Sequence, residues 1–116
     1  GLDKKIASEV KSTLQRRRNL TCTRLDSLGE WFSYVKPNGT LYVFVKLLKD
    51  IDDKQFSSDL MKNAKVAVVP GSAFGKKGYL RFSFGTSESI INDAFDRIES
   101  FCKDKNLENG NVFKDL

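Results

Sequence analysis

The sequence predicts an α+β domain, a two-layer sandwich in which helices pack on one face of a small, mostly antiparallel sheet. Helix and strand patterns follow each other in the order α, β, β, α, β, β, α. Residues 79–84 alternate strictly, so Leu80, Phe82 and Phe84 share the face that the helices would cover. Apolar residues make up 40% of the chain, and neither a repeat nor a linker divides it. We therefore expect residues 1–116 to form a single domain.

The first half of the chain begins with a long helical pattern. Apolar residues recur at helical spacing over residues 3–28, which predicts one long helix or two helical pieces that stop near Gly29. Residues 31–35 are aromatic and β-branched, residues 37–39 (PNG) have turn chemistry, and residues 40–48 (TLYVFVKLL) are typical of a strand. This half should contain a helix and then a short strand turning into a long one.

A short helix, a strand and a loop are predicted next. Asp52 and Gln55 resemble a capping box, and the apolar stripe that follows runs to Ala64. Residues 65–69 (KVAVV) are a strand candidate, and the small residues at 70–75 (PGSAFG) indicate a loop before the alternating strand.

The last predicted element is a helix with a well-defined apolar face. Thr86 or Ser87 can cap it, and its stripe runs from Ile90 to Cys102 over more than three turns. Residues 103–116 are charged and rich in asparagine, which predicts a frayed or loosely docked tail.

The composition excludes several classes of function. The chain has no histidine, which removes Ser-His and Cys-His nucleophile systems and leaves zinc a poor set of ligands. Cys22 and Cys102 occupy apolar positions of helical patterns, so we expect reduced thiols rather than a disulfide. Without a signal peptide or an apolar run of membrane-spanning length, we expect a cytoplasmic protein with no metal and no membrane partner.

The positive charge leaves a binding function open. The net charge is +5, and residues 16–18 are three consecutive arginines. Together with Arg24 and Lys11 they could line a helix face and touch phosphates, assisted by Trp31 and Tyr34, which we expect to be exposed. A free-standing nucleic-acid-binding module is therefore an alternative, although charge runs are usually solvated and we expect no nucleic-acid partner.

Arg81 is the clearest candidate for a ligand-binding side chain. It lies between buried neighbours on the alternating strand, just beyond a glycine-rich loop. A guanidinium held on a rigid strand can bind a carboxylate through two parallel hydrogen bonds. On spacing alone, a surface arginine on the wet face of the sheet is the commoner interpretation.

Three segments in order resemble the carboxy-terminal small domain of fold-type-I, pyridoxal-phosphate-dependent class I and II aminotransferases. The resemblance covers about residues 10–102. Residues 36–44 (KPNGTLYVF) are similar to the family's Pro-x-Gly-x-aromatic-Tyr strand. Residues 66–75 (VAVVPGSAFG) and 78–84 (GYLRFSF) follow, with the intervening helix in place. Leu41 departs from the usual Phe and Gly85 from the common Ala.

The resemblance implies roles for three residues and for the chain as a whole. Arg81 matches the arginine that binds the α-carboxylate of the substrate, and Ser72 and Phe74 would line the mouth of the active site. The small domain of this family closes over bound substrate, which would make this chain the moving jaw.

The resemblance also implies what other parts of such an enzyme supply. Pyridoxal 5'-phosphate and its attachment lysine belong to a large domain that this sequence lacks, so the chain holds no catalytic residue and should be inactive alone. Residues 1–28 would connect to that domain, the substrates would be an amino acid and a 2-oxo acid, and the enzyme would be a homodimer. A carbon–sulfur lyase on the same scaffold is the alternative within the family.

Overall fold

A computed structural model describes the backbone of residues 1–37 and 39–114 and the side chains of residues 1–37 and 39–106. Its elements, in chain order, are α1 (Leu2–Asp26), β1 (Phe32–Tyr34), β2 (Tyr42–Leu47), α2 (Asp53–Ala64), β3 (Val69–Pro70), a 3-10 turn (Gly71–Phe74), β4 (Tyr79–Ser83) and α3 (Glu88–Lys114).

The four strands form one antiparallel sheet in the order β1-β2-β4-β3. The central pair, β2 and β4, places Val43 opposite Phe82 and Val45 opposite Leu80. These four side chains point to one face and are buried. The predicted α+β fold with an antiparallel sheet is therefore confirmed.

The helices bury that face through a cluster of aromatic side chains. Phe56 of α2 meets Phe32 of β1 and Phe101 of α3 edge to face, with ring centroids 5.9 and 5.5 Å apart. Phe82 of β4 stacks on Phe95 of α3. Such rings contribute large apolar areas together with a preferred geometry, so this cluster fixes how the helices lie on the sheet.

The two ends of α2 show one correct and one wrong prediction. Asp52 caps the helix, accepting the Gln55 amide at 3.1 Å, as the capping box predicts. The strand predicted at 65–69 is wrong, because only Val69–Pro70 pairs with β4. Lys65 adopts the left-handed conformation (φ 58°), and the amides of Lys65 and Val66 bond back to the last turn of α2. This Schellman-type closure keeps the first residues of the predicted strand against the helix end.

Helices α1 and α3 differ in length from the sequence patterns. Helix α1 ends at Asp26 and is followed by a turn, so Gly29 is not its stop. Ser87, one of the two predicted caps, accepts the Ile90 amide at the start of α3. The backbone of α3 continues to Lys114, beyond Cys102 where a loose tail was expected. The docking of residues 107–116 lies outside the described side chains.

Only the second half of α1 packs against the domain. Thr21, Cys22 and Leu25 are buried, whereas Leu2, Ile6 and Val10 of the first half are 73, 49 and 53% exposed. Cys22 and Cys102 are both buried free thiols. In the part of the chain that the structure describes, no helix is long and apolar enough to cross a membrane.

Candidate functional site

The outer face of the sheet, opposite the helices, presents alternate side chains of β2 and β4. On β2 these are Tyr42, Phe44 and Lys46, all exposed. On β4 Tyr79 and Arg81 are half-buried. We call this surface the outer sheet face, and it contains the arginine that the sequence singled out.

Arg81 is held rigidly at the centre of this face. Its backbone pairs with Phe44 on one side and with Val69 on the other, so strand β4 is fixed along both edges at this point. The guanidinium carbon lies 4.3 Å from the centroid of the Tyr42 ring. Stacking on an aromatic face orients the guanidinium and leaves the N–H donors at its edge available.

The charge of Arg81 is not neutralised by any acid in the described part of the chain. The side chains of residues 1–37 and 39–106 give it neither an ion pair nor a hydrogen bond. A guanidinium presented in this way can bind a carboxylate ligand with two parallel hydrogen bonds.

The connection between β3 and β4 brings Phe74 to the same face and gives Ser72 a different contact. The rings of Phe74 and Phe44 meet edge to face with centroids 5.4 Å apart, and Phe44 lies opposite Arg81. The Ser72 hydroxyl instead donates a hydrogen bond to Asp53 at 2.9 Å. The structure thus places Phe74 on the outer sheet face against Phe44, and Ser72 in the support of the connection.

Asp53 is a residue whose importance the sequence analysis missed. Its carboxylate is fully buried and accepts the Ser72 amide at 2.8 Å, the Ser72 hydroxyl and the Gly78 amide at 3.2 Å. Burial acts to raise the pKa of this carboxyl, but the hydrogen bonds from Ser72 and Gly78 outweigh burial and lower the pKa. The only sequence signal was a second acid beside the cap Asp52, and that pattern is ordinary at a helix start.

A cleft of about 460 Å³ adjoins the Tyr42 side of the outer sheet face. Three lysines, Lys36, Lys46 and Lys76, stand among its lining residues, and no described lining residue is acidic. The Lys76 ammonium lies 4.7 Å from the centroid of the Tyr79 ring. Together with Arg81 these groups give the outer sheet face a positive potential, which favours the approach of anionic ligands.

The structure removes part of the support for the nucleic-acid alternative. Trp31 is only 2% exposed, and the Tyr34 hydroxyl donates to Asp26 at 2.6 Å. Burial and the bond to Asp26 raise the pKa of Tyr34. Arg24 is not free to touch phosphates either, because it binds Asp96 and Glu99 of α3.

The described residues also contain no cluster of metal-binding side chains. No group of three or more His, Cys, Asp or Glu side chains among them is placed to hold an ion. The positively charged groups of the outer sheet face, Arg81 among them, have the chemistry to bind an anionic ligand.

The chain is similar to known proteins in both sequence and fold. Residues 3–98 match the sequence profile of the family described as aminotransferase class I and II. The chain is 43% identical to an aromatic-amino-acid aminotransferase of Thermococcus litoralis over 85% of its length, and 41% identical to an aspartate aminotransferase of Pyrococcus abyssi over 89%. The crystal structure of an aromatic aminotransferase from Pyrococcus horikoshii superposes on 89% of the chain with a TM-score of 0.82 and 39% identity.

The matched part is a minor share of each of these proteins. The chain covers 26% of the Thermococcus protein, 27% of the Pyrococcus abyssi protein and 28% of the crystallised chain. It spans about a quarter of the length of the curated relatives that it matches.

Proposed function

The chain belongs to the aminotransferase class I and II family, and on this premise we propose that it is the carboxy-terminal small domain of such an enzyme. In that role Arg81 binds the α-carboxylate of the amino acid and of the 2-oxo acid between which the amino group moves. Phe74 borders the bound substrate, and Ser72 acts at the mouth of the site by shaping the connection that carries Phe74.

One observation carries the proposal. Arg81 stands on a strand paired on both sides, its guanidinium is stacked on Tyr42, and the described side chains offer it no acid. A guanidinium that is ordered in the absence of an anionic partner avoids much of the entropic cost of organising itself when a carboxylate arrives. This supports a binding role over that of a surface arginine.

The cofactor of the family, pyridoxal phosphate, is assigned to a large domain of the same polypeptide. It requires a lysine for attachment, yet every lysine among residues 1–37 and 39–106 is exposed or half-buried. The buried carboxylate of Asp53 already accepts three hydrogen bonds from Ser72 and Gly78. The described residues therefore do not fit the cofactor, and we expect the isolated chain to be inactive.

The remaining parts of the proposal concern assembly and location. Residues 1–28 would connect to the large domain, since Leu2, Ile6 and Val10 present an exposed apolar stripe. We expect the enzyme to be a homodimer built mainly by that large domain. Two free buried thiols fit the reducing cytoplasm.

The first experiment is purification of the native protein with an antibody raised against this chain. An intact mass several times 13.1 kDa, together with the visible absorption of bound pyridoxal phosphate, is the expected result. A colourless native protein of 13.1 kDa would contradict the proposal. Product analysis with a thioether amino acid separates a carbon–sulfur lyase, which releases a thiol, from an aminotransferase, which returns a 2-oxo acid.

Arg81→Lys in the complete enzyme then tests the assigned residue. The variant keeps the charge but loses the paired donors, so we expect KM for L-aspartate and L-phenylalanine to rise on the order of tenfold or more. Lys62→Gln is the matched control, because it removes an exposed charge from α2 and leaves the outer sheet face unchanged. Unchanged kinetics in Arg81→Lys would remove Arg81 from the site.

A further inference from the structure

Asp53 is the one fully buried carboxylate among the described side chains, and its hydrogen bonds reach far along the sequence. It begins α2, yet its three donors lie at Ser72 and Gly78, which are 19 and 25 residues away. A buried charge is costly unless it is fully hydrogen-bonded, and here both carboxylate oxygens have partners. Because burying this carboxylate is unfavourable, the groups that it fixes in place are of interest.

The group that it holds is the connection between β3 and β4. Ser72 lies two residues after β3 ends, and Gly78 immediately precedes β4. Asp53 thus anchors both ends of the connection, next to the two strands that meet at the pair Val69 and Arg81.

The connection is compact, so its residues have little freedom to move independently of one another. The Lys76 amide donates to the Gly71 carbonyl at 2.7 Å, and a Cβ on Gly71 would collide with the Lys76 carbonyl oxygen. Phe74, in the middle of the connection, packs on Phe44, which lies opposite Arg81. A displacement of the connection would therefore reach Arg81 through the start of β4 and through the Phe74–Phe44 contact.

We propose that Asp53 is a positioning residue for carboxylate binding: it fixes the connection between β3 and β4 and, through it, the placement of Arg81 on the outer sheet face. The inference rests on the function proposed for Arg81. Asp53 touches no substrate in this scheme and acts only through the groups that it holds.

Asp53→Asn is the informative change because it keeps the size of the side chain. An Asn amide group presents one oxygen and one N–H₂ where Asp53 presents two accepting oxygens. In one orientation the N–H₂ faces the Ser72 amide, and in the other it faces the Gly78 amide. Either orientation leaves one amide of the connection opposite a donor, so the connection must move.

The test is steady-state kinetics of the complete enzyme with L-aspartate and L-phenylalanine. Asp53→Asn should raise KM for the better substrate on the order of tenfold, with a smaller change in kcat, because the loss lies in carboxylate placement. Asp52→Ala is the matched control. It removes the cap bond to Gln55 at the same helix end without touching the connection, and it should leave KM unchanged.

A double-mutant cycle with Arg81→Lys separates positioning from general damage. If Asp53 acts through Arg81, Asp53→Asn should add little to KM in the Arg81→Lys background. An equal effect in both backgrounds, or a wild-type KM in Asp53→Asn, would overturn the inference. If Asp53→Asn does not fold, Ser72→Ala, which removes one of the three bonds, takes its place with the same expected direction.

Failure of this inference is distinguishable from failure of the proposed function. An unchanged KM in Arg81→Lys contradicts the function proposed for Arg81. A raised KM in Arg81→Lys together with a wild-type KM in Asp53→Asn contradicts the positioning role alone.

Discussion

Replacement of Arg24 by alanine should loosen the contact between α1 and α3. The Arg24 side chain is only 15% exposed, and its guanidinium binds Asp96 at 2.7 Å and Glu99 at 3.0 Å. It also donates to the Asn92 side chain at 2.9 Å, and its guanidinium carbon lies 5.7 Å from the centroid of the Phe95 ring. Its own burial acts to lower the pKa of Arg24, but the bonds to Asp96 and Glu99 prevail and raise the pKa.

The expected loss of stability follows from these contacts. Asp96 and Glu99 are 69 and 42% exposed, so their two ion pairs together contribute about 1 kcal/mol to the free energy of unfolding. The hydrogen bond to Asn92 adds about 1 kcal/mol, and the contact with Phe95 adds about 0.5 kcal/mol. The total is about 2.5 kcal/mol, which corresponds to a fall in Tm of about 10 °C for a domain of this size.

Thermal unfolding followed by circular dichroism measures this change. Arg16→Ala is the matched control. Among the described side chains Arg16 bonds only to Ser12 and Thr13 of its own helix, so its loss should change stability by less than about 0.5 kcal/mol. At about 1 M salt the ion-pair part is screened, so the difference between wild type and Arg24→Ala should shrink by less than half. A Tm for Arg24→Ala within about 2 °C of that of Arg16→Ala would refute this reasoning.

Three further predictions concern stability and reactivity. The pKa of Asp53 is lower in the folded protein than in the unfolded chain, so its stabilising contribution is complete above about pH 4 and is lost as the pH falls through the pKa of the folded state. The free energy of unfolding of Asp53→Asn should therefore fall less steeply with decreasing pH than that of wild type. Gly71→Ala should lower Tm by more than about 5 °C, because the new Cβ meets the carbonyl oxygens of Lys76 and Tyr79, and an unchanged melting curve would contradict the close approach. Burial raises the pKa of Cys102 to about 12, so a thiol reagent at pH 8 should modify it only after unfolding, and labelling of the native protein at the rate of a free thiol would contradict this.

Local signals gave the parts of the fold that depend on neighbouring residues. The alternation that placed Leu80, Phe82 and Phe84 in the core is correct, and so is the Asp52 cap, because both depend on residues close in sequence. The strand predicted at 65–69 was wrong because Lys65 takes a left-handed position that usually belongs to glycine, which keeps the first of these residues against the end of α2.

Long-range contacts account for the rest of the differences. Asp53 bonds to residues 19 and 25 positions away, and Arg24 bonds to α3 about 70 positions away, and neither distance leaves a local pattern. Trp31 seemed available to a ligand, but its burial depends on contacts such as that with Phe56. For Arg81 the spacing favoured an ordinary surface residue, and only the family resemblance distinguished it, since alternation reports the face of a side chain but not what will bind there.

The first half of α1 extends from the domain as a stiff arm. No glycine or proline interrupts Leu2–Asp26, so the helix has no internal point at which bending is easy. From the buried anchor at Thr21 to Leu2 the axis runs about 30 Å, so each degree of rotation at the anchor moves Leu2 by about 0.5 Å. A surface that binds Leu2, Ile6 and Val10 would therefore control the orientation of the whole sheet. It would also control the direction in which Arg81 points.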